Sequence, residues 1–135
     1  MRKSPTDLEL LEEIYRRYYE AFVSYREPTA ERDSKVYMPI DVSELARHFD
    51  VDGDIIFGRL CYHLNPKFSV NTGNAAAPFF RFLAGKDAPG RHRIQFPILA
   101  SAIATLREAR NQFLWANWLA ASSLVISIIA LWRSG

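Results

Sequence analysis

The chain has 135 residues, 49% of them hydrophobic and 24% charged, with a formal net charge of +2. Setting aside a closing hydrophobic stretch leaves about 110 residues, enough for one small domain with its own core. The single cysteine, Cys61, excludes an intrachain disulfide and fits a reducing compartment.

The small net charge hides an asymmetry. Residues 1–54 carry eight Lys/Arg against thirteen Asp/Glu, a net of −5. Residues 55–112 carry eight Lys/Arg against two Asp/Glu, a net of +6. A basic surface of that kind suits anionic headgroups, nucleic acid or an acidic protein.

The opening MRKSPTDLELLEE has no apolar core of the kind a secretory signal needs. Ser4-Pro5-Thr6-Asp7 reads as a helix start, with Ser4 as N-cap, Pro5 at the first helical position and an acid in the first turn. Leu8, Leu11, Ile14 or Tyr15, Tyr18, Phe22 and Tyr25 then follow at helical spacing, which predicts a helix over 4–25. Glu12–Arg16 and Glu13–Arg17 are expected as i,i+4 pairs, with Glu12, Glu13 and Glu20 on its solvent side. Residues 26–35 read as a polar loop. Val36-Tyr37-Met38 reads as a short strand ended by Pro39.

Asp41-Val42-Ser43-Glu44 resembles a capping box and opens a helix over 42–49, burying Val42, Leu45, Ala46 and Phe49. Residues 50–54 form a turn, with Asp52 or Asp54 as the next N-cap. A helix over 55–64 places Ile56, Leu60 and Leu64 on one stripe, and Asn65-Pro66 is expected to stop it. Residues 67–78 read as a loop. Two strand-like runs, 79–83 and 92–96, flank a Gly/Pro-containing stretch and predict a hairpin over 79–96. The second run alternates, with His92, Ile94 and Phe96 on one face and Arg93 and Gln95 on the other. Pro97 then begins a helix expected to run unbroken to the end, its first part (97–112) juxtamembrane.

From Phe113 to Trp132, twenty residues pass without a charge. A helix of that length spans roughly 30 Å, the thickness of a bilayer core. Trp115 and Trp118 at one end and Trp132 at the other suit the headgroup level. Arg107 and Arg110 precede the stretch and only Arg133 follows it, which orients the N-terminal domain to the cytoplasm. Ala102, Leu106, Ala109, Phe113, Ala116, Ala120, Ser123, Ser127 and Ala130 recur at alternating spacings of four and three, a heptad seam. Its members inside the membrane are Ala and Ser, residues that let helix backbones approach. Asn117 lies on the neighbouring stripe.

The only cluster of candidate metal ligands, His48, Cys61 and His63, lacks convergent spacing, so no metal, cofactor or small-molecule substrate is expected. Nor does any convergent reactive set point to an enzyme.

The stretch Val42 to Leu64, VSELARHFDVDGDIIFGRLCYHL, resembles the winged helix-turn-helix domain, and the similarity covers roughly residues 36–96. Val42, Leu45 and Ala46 match buried positions of the first motif helix, Val51 the turn hydrophobe, and Ile56 and Leu60 the inner stripe of the recognition helix. The resemblance implies a helix-turn-helix over 41–65 and a wing over 79–96. The chain departs from the family at Asp50, Asp52 and Asp54, which crowd the end of the recognition helix that approaches a polyanion. The wing argues the other way, because Arg81, Lys86, Arg91 and Arg93 form a candidate anion-contacting ridge.

The expected fold is mainly α with a small β-hairpin: a winged-helix-like domain (1–96), then a long C-terminal helix that becomes a single transmembrane span (113–132). The expected function is a single-pass, tail-anchored membrane protein whose cytoplasmic domain docks or regulates, within a homo-oligomer or membrane complex. Its partners would be the lipid bilayer and a second copy or partner membrane protein. A membrane-tethered DNA-binding regulator and a membrane-perturbing oligomeric effector are the alternatives, with nucleic acid less favoured.

Overall fold

The computed structural model describes residues 3–29, 32, 34–82 and 91–135. These residues are mostly helical, with small antiparallel sheets. They form two units, 1–103 and 104–135.

In the first unit, α1 spans Asp7–Val23. Its N-cap is Thr6, not Ser4 as expected. The Thr6 hydroxyl accepts from the Glu9 N–H at 3.1 Å, and the Glu9 carboxylate accepts from the Thr6 N–H at 3.0 Å. This reciprocal box satisfies two orphan donors, more than a lone serine would. Leu10, Leu11 and Ile14 bury one face of the helix.

β1 is Tyr37–Asp41 and runs through Pro39 rather than ending there. The three-stranded sheet has the order β1-β5-β4, where β4 is Phe80–Arg81 and β5 is Arg91–Gln95. β1 is thus an edge strand, where a missing N–H is tolerated. The Phe96 N–H donates to the Val36 carbonyl, so residues 38 and 40 carry the next bonds toward β5, and Pro39 faces away. The outward Asp41 N–H donates to the Tyr18 hydroxyl at 2.8 Å, which ties α1 to this edge. Met38, Ile40, Phe80 and Ile94 bury one face of the sheet, and Tyr37, Pro39, Asp41, Arg93 and Gln95 are half-exposed on the other.

α2, Val42–Phe49, starts at the expected cap. The Asp41 carboxylate accepts from the Ser43 and Glu44 N–H groups. It ends at Asp50, whose φ of 54° is a left-handed conformation that Asp tolerates better than most residues. α3, Gly53–Gly58, is capped by Asp52.

α3 does not stop at Asn65-Pro66. It passes into a π-helical segment, Arg59–Leu64, and then α4, Asn65–Phe68. Pro66 has no N–H, and in an α-helix its ring would press on the carbonyl of Tyr62. The π segment, in which the Asn65 N–H reaches back to the Leu60 carbonyl, shifts the register there, so the helix continues.

Residues 67–78, expected as a loop, contain a second hairpin. Its strands are β2, Val70–Thr72, and β3, Ala75–Ala77, and Gly73 turns it at φ 58°. The Ser69 hydroxyl and the Asn65 side chain accept from the Phe79 and Phe80 N–H groups, leading the chain into β4.

Of the predicted hairpin 79–96 the described part is the antiparallel β4–β5 pair, with Phe80 opposite Ile94 and Arg81 opposite Arg93, and residues 83–90 lie outside the described residues. α5, Phe96–Ser134, starts one residue earlier than expected. The Gln95 side chain accepts from the Ile98 N–H at 2.9 Å and supplies the cap. Phe96, Leu99, Ala102 and Ile103 complete the core of the first unit beside Leu45, Leu60, Leu64 and Phe79.

The second unit, residues 104–135, is the remainder of α5. Ala and Leu are its commonest apolar residues, and all of it is exposed except Leu106 and Ser122, which are half-buried.

Candidate functional site

α5 is long and apolar enough to cross a membrane, with a mean hydropathy of 1.8 over its most apolar window and none of that window buried. Phe113, Leu114, Leu119, Leu124, Val125, Ile126, Ile128, Ile129 and Leu131 are all exposed. In water such a surface would have no cover, and in lipid each of these residues favours insertion by about 0.3–0.6 kcal/mol. Trp115 and Trp118 stack with centroids 5.4 Å apart at one end of the stretch, and Trp132 is 83% exposed at the other. The predicted seam residues Ala109, Phe113, Ala116, Ala120, Ser123, Ser127 and Ala130 are exposed too. The Ser127 hydroxyl donates to the Ser123 carbonyl at 2.9 Å, which satisfies that polar group within the helix itself.

The predicted basic ridge is only partly on view. Lys86 lies outside the described residues, as does the side chain of Arg91. Arg81 and Arg93 sit at facing positions on β4 and β5. The Arg81 guanidinium lies 4.2 Å from the centroid of the Tyr37 ring, a cation–π contact that reaches across the sheet.

The surface of α3 has a different character. Asp52 and Asp54 are exposed at its start next to Ile55 (48% exposed), and Tyr62 (76% exposed) lies in the π segment that continues it. Phe57 makes ring contacts with Tyr62, Phe80, Phe82 and His92, with centroids 5.2–6.3 Å apart. Burial in this aromatic setting pushes the His92 imidazole below its ordinary value of 6.5. Alternation in the sequence placed His92 with Ile94 and Phe96 but carried no sign of Phe57.

Two charged clusters draw on partners the sequence did not bring together, though the Glu13–Arg17 pair within one of them was expected. In the first, the Asp7 carboxylate accepts from Arg59 at 2.8 Å and bonds His63 at 2.9 Å, and Arg59 also donates to the Pro5 carbonyl and the Ser4 hydroxyl. Burial pushes the Asp7 carboxyl up, but the bonds from Arg59 and His63 outweigh it and hold the group below its ordinary 3.8. Ser4, expected as a helix cap, belongs to this latch.

The second cluster corrects the reading of α1. Glu13 is buried at 9% exposure rather than solvent-facing. It accepts from Arg16 and Arg17 and lies 3.6 Å from the His48 ring. The Arg16 bond chiefly holds its carboxyl below the usual range, against the opposing effect of burial. Both His63 and His48 thus face carboxylates. Among the described residues no three His, Cys, Asp or Glu converge as metal ligands.

An open cleft of about 420 Å³ is lined by Ala21, Ser24, Tyr25, Arg26, Glu27, Thr29 and Arg32. The terminal nitrogens of Arg32 donate to the Ala21 and Lys35 carbonyls and its guanidinium lies over the Tyr25 ring, while its Nε is buried with no partner among the described residues, and the lining carries no nucleophile–base pair.

No family model, curated protein or solved structure matches this chain.

Proposed function

We propose that this chain is held in a membrane by its apolar helix 113–132 and that its winged-helix-like N-terminal domain is a docking module on the cytoplasmic face of a bilayer. The observation that carries this reading is the exposed apolar run from Phe113 to Trp132 with tryptophans at both ends. Support for the winged-helix likeness comes from the element order helix, strand, helix, helix and a sheet ordered β1-β5-β4. The bias of Arg107 and Arg110 over Arg133 supports the cytoplasmic orientation. The reading involves no enzymatic step.

Docking is favoured over the membrane-tethered DNA-binding reading by the surface of α3. In helix-turn-helix proteins the second helix enters the major groove. Here that helix presents Asp52, Asp54, Ile55 and Tyr62, two carboxylates and two apolar groups, where a phosphate backbone calls for Lys and Arg. The small-residue seam supports self-association in the membrane, which is also what a membrane-perturbing effector would need.

Fractionation of cells expressing the chain tests the anchor. Retention in membranes after alkaline carbonate washing is the expected result, and recovery of intact chain in the wash would overturn the reading. For the seam, a membrane-association reporter should show several-fold weaker pairing of Ala120→Leu and Ser123→Leu than of wild type. Equal signals would remove the oligomer.

A further inference from the structure

Three aromatic side chains meet on the surface where α3, the π segment and the end of β4 come together. Phe57 on α3 is half-buried and packs against the buried Phe80 with centroids 5.9 Å apart, which roots the group in the core. Tyr62 and Phe82 stand edge-on to the Phe57 ring, at 6.3 and 6.1 Å. Both are exposed, Phe82 at 56%, and the exposed Ile55 adds an aliphatic group from α3. Large rings held by their neighbours lose little freedom when covered, and such rings are the usual anchors of a protein contact. One side of the group is acidic. Asp54 lies one helical turn before Phe57, so the two share a side of α3. Its exposed carboxylate has no partner among the described residues, and the neighbouring Asp52, also exposed, accepts the Asp54 N–H.

We infer that this patch docks a basic, apolar segment of a second membrane protein, whose apolar side chains cover the rings and whose Lys or Arg pair with the aspartates. Charge decides the occupant. Carboxylates at the rim favour a cationic partner and disfavour both a phosphate backbone and an anionic lipid surface. They also disfavour a second copy meeting patch to patch, since a two-fold contact sets the same aspartates against each other. The membrane supplies the source. Segments that flank spans on the cytoplasmic side are enriched in Lys and Arg. A module tethered to that surface by a spanning helix meets them at high local concentration. The inference rests on the docking reading above and adds to it the site and the chemistry of the partner.

The test uses the full-length chain in phosphatidylcholine nanodiscs and a phage-displayed library of random peptides, with binders to empty discs removed. Peptides retained by wild type but lost on Tyr62→Ser report the patch, and Ile55→Ser, a second exposed position, should lose the same ones. They should carry several-fold more Lys and Arg than Asp and Glu, together with aromatic or aliphatic residues, and raised salt should weaken them. Asp54→Lys should turn the selection toward Asp and Glu. Tyr62-dependent peptides without a cationic excess, or an Asp54→Lys selection equal to that of wild type, would overturn the inference and leave the docking reading standing. Benzoylphenylalanine replacing Tyr62, in discs that hold two copies, should give neither a crosslinked dimer nor a lipid adduct. Either product would assign the patch to that occupant and overturn the inference. The absence of any Tyr62-dependent peptide would strike the docking reading together with it, so the two failures are separable.

Discussion

Replacing Asp7 by Asn removes one charge from the latch between α1 and the π segment and keeps its shape. The Arg59–Asp7 bond at 2.8 Å joins side chains that are 27% and 19% exposed, whereas His63 is 55% exposed and adds little through water. Hydrogen bonds to charged partners contribute about 1.5–3 kcal/mol each, and partial exposure puts the expected loss at roughly 2 kcal/mol. For a domain of this size that is a fall in Tm of about 8–16 °C. The assay is thermal unfolding in detergent followed by tyrosine near-UV circular dichroism. All six tyrosines lie within residues 1–103 and all three tryptophans in the closing helix, so the tyrosine signal reports the domain. The Asp7 pKa is depressed in the folded state, so its stabilisation is fully present above the unfolded value of about 3.9 and is lost as pH falls through the folded value. Wild type and Asp7→Asn should therefore differ at neutral pH and converge as pH falls below about 4. Equal melting at neutral pH, or a gap that persists undiminished in acid, would refute the argument.

His92 supplies a slope of the opposite origin. Its folded pKa is lowered from 6.5, so the unfolded chain takes up the proton first and stability falls as pH drops through that value. His92→Phe should flatten the loss of stability between neutral pH and about pH 5, where one proton is worth at most ~1.4 kcal/mol per unit. An unchanged slope in denaturant titrations would place the titration elsewhere. Tyr18→Phe deletes the acceptor for the outward Asp41 N–H and should cost about 1–2 kcal/mol, read as a lower urea midpoint at constant m. A midpoint equal to wild type would mean that water replaces the hydroxyl at no cost.

Element type was legible wherever local chemistry decides it. Asp41 capped its helix as the sequence indicated, Asp52 is the one of the two candidates, Asp52 and Asp54, that caps the next, and the Ile94–Phe96 alternation marked a strand with one buried face. Legibility failed where a distant partner decides. Pro39 and Pro66 are local breakers, yet an edge position spares the first and a π register shift spares the second. Nothing near Glu13 in sequence announces His48, and nothing near Asp7 announces Arg59 and His63, 52 and 56 residues away. Of the candidate sites, the apolar span could be read in full because composition alone defines it. The basic ridge could be read only as a list of residues, since the facing of Arg81 and Arg93 depends on register.

Those long-range pairs change what the charge asymmetry means. Read along the chain, residues 1–54 are acidic and 55–112 basic, as if two oppositely charged surfaces were on offer. Folding matches Asp7 with Arg59 across that boundary, and Glu13 with Arg16 and Arg17 inside the acidic half. The acidic groups exposed at the start of α3 are Asp52 and Asp54, beside apolar Ile55. On the open face of the sheet, Arg81 and Arg93 stand together in the described part. A partner therefore meets two distinct surfaces, one apolar with an acidic fringe and one basic. A duplex contacting the helix and the wing together would have to engage both at once, which the Coulomb repulsion at Asp52 and Asp54 opposes.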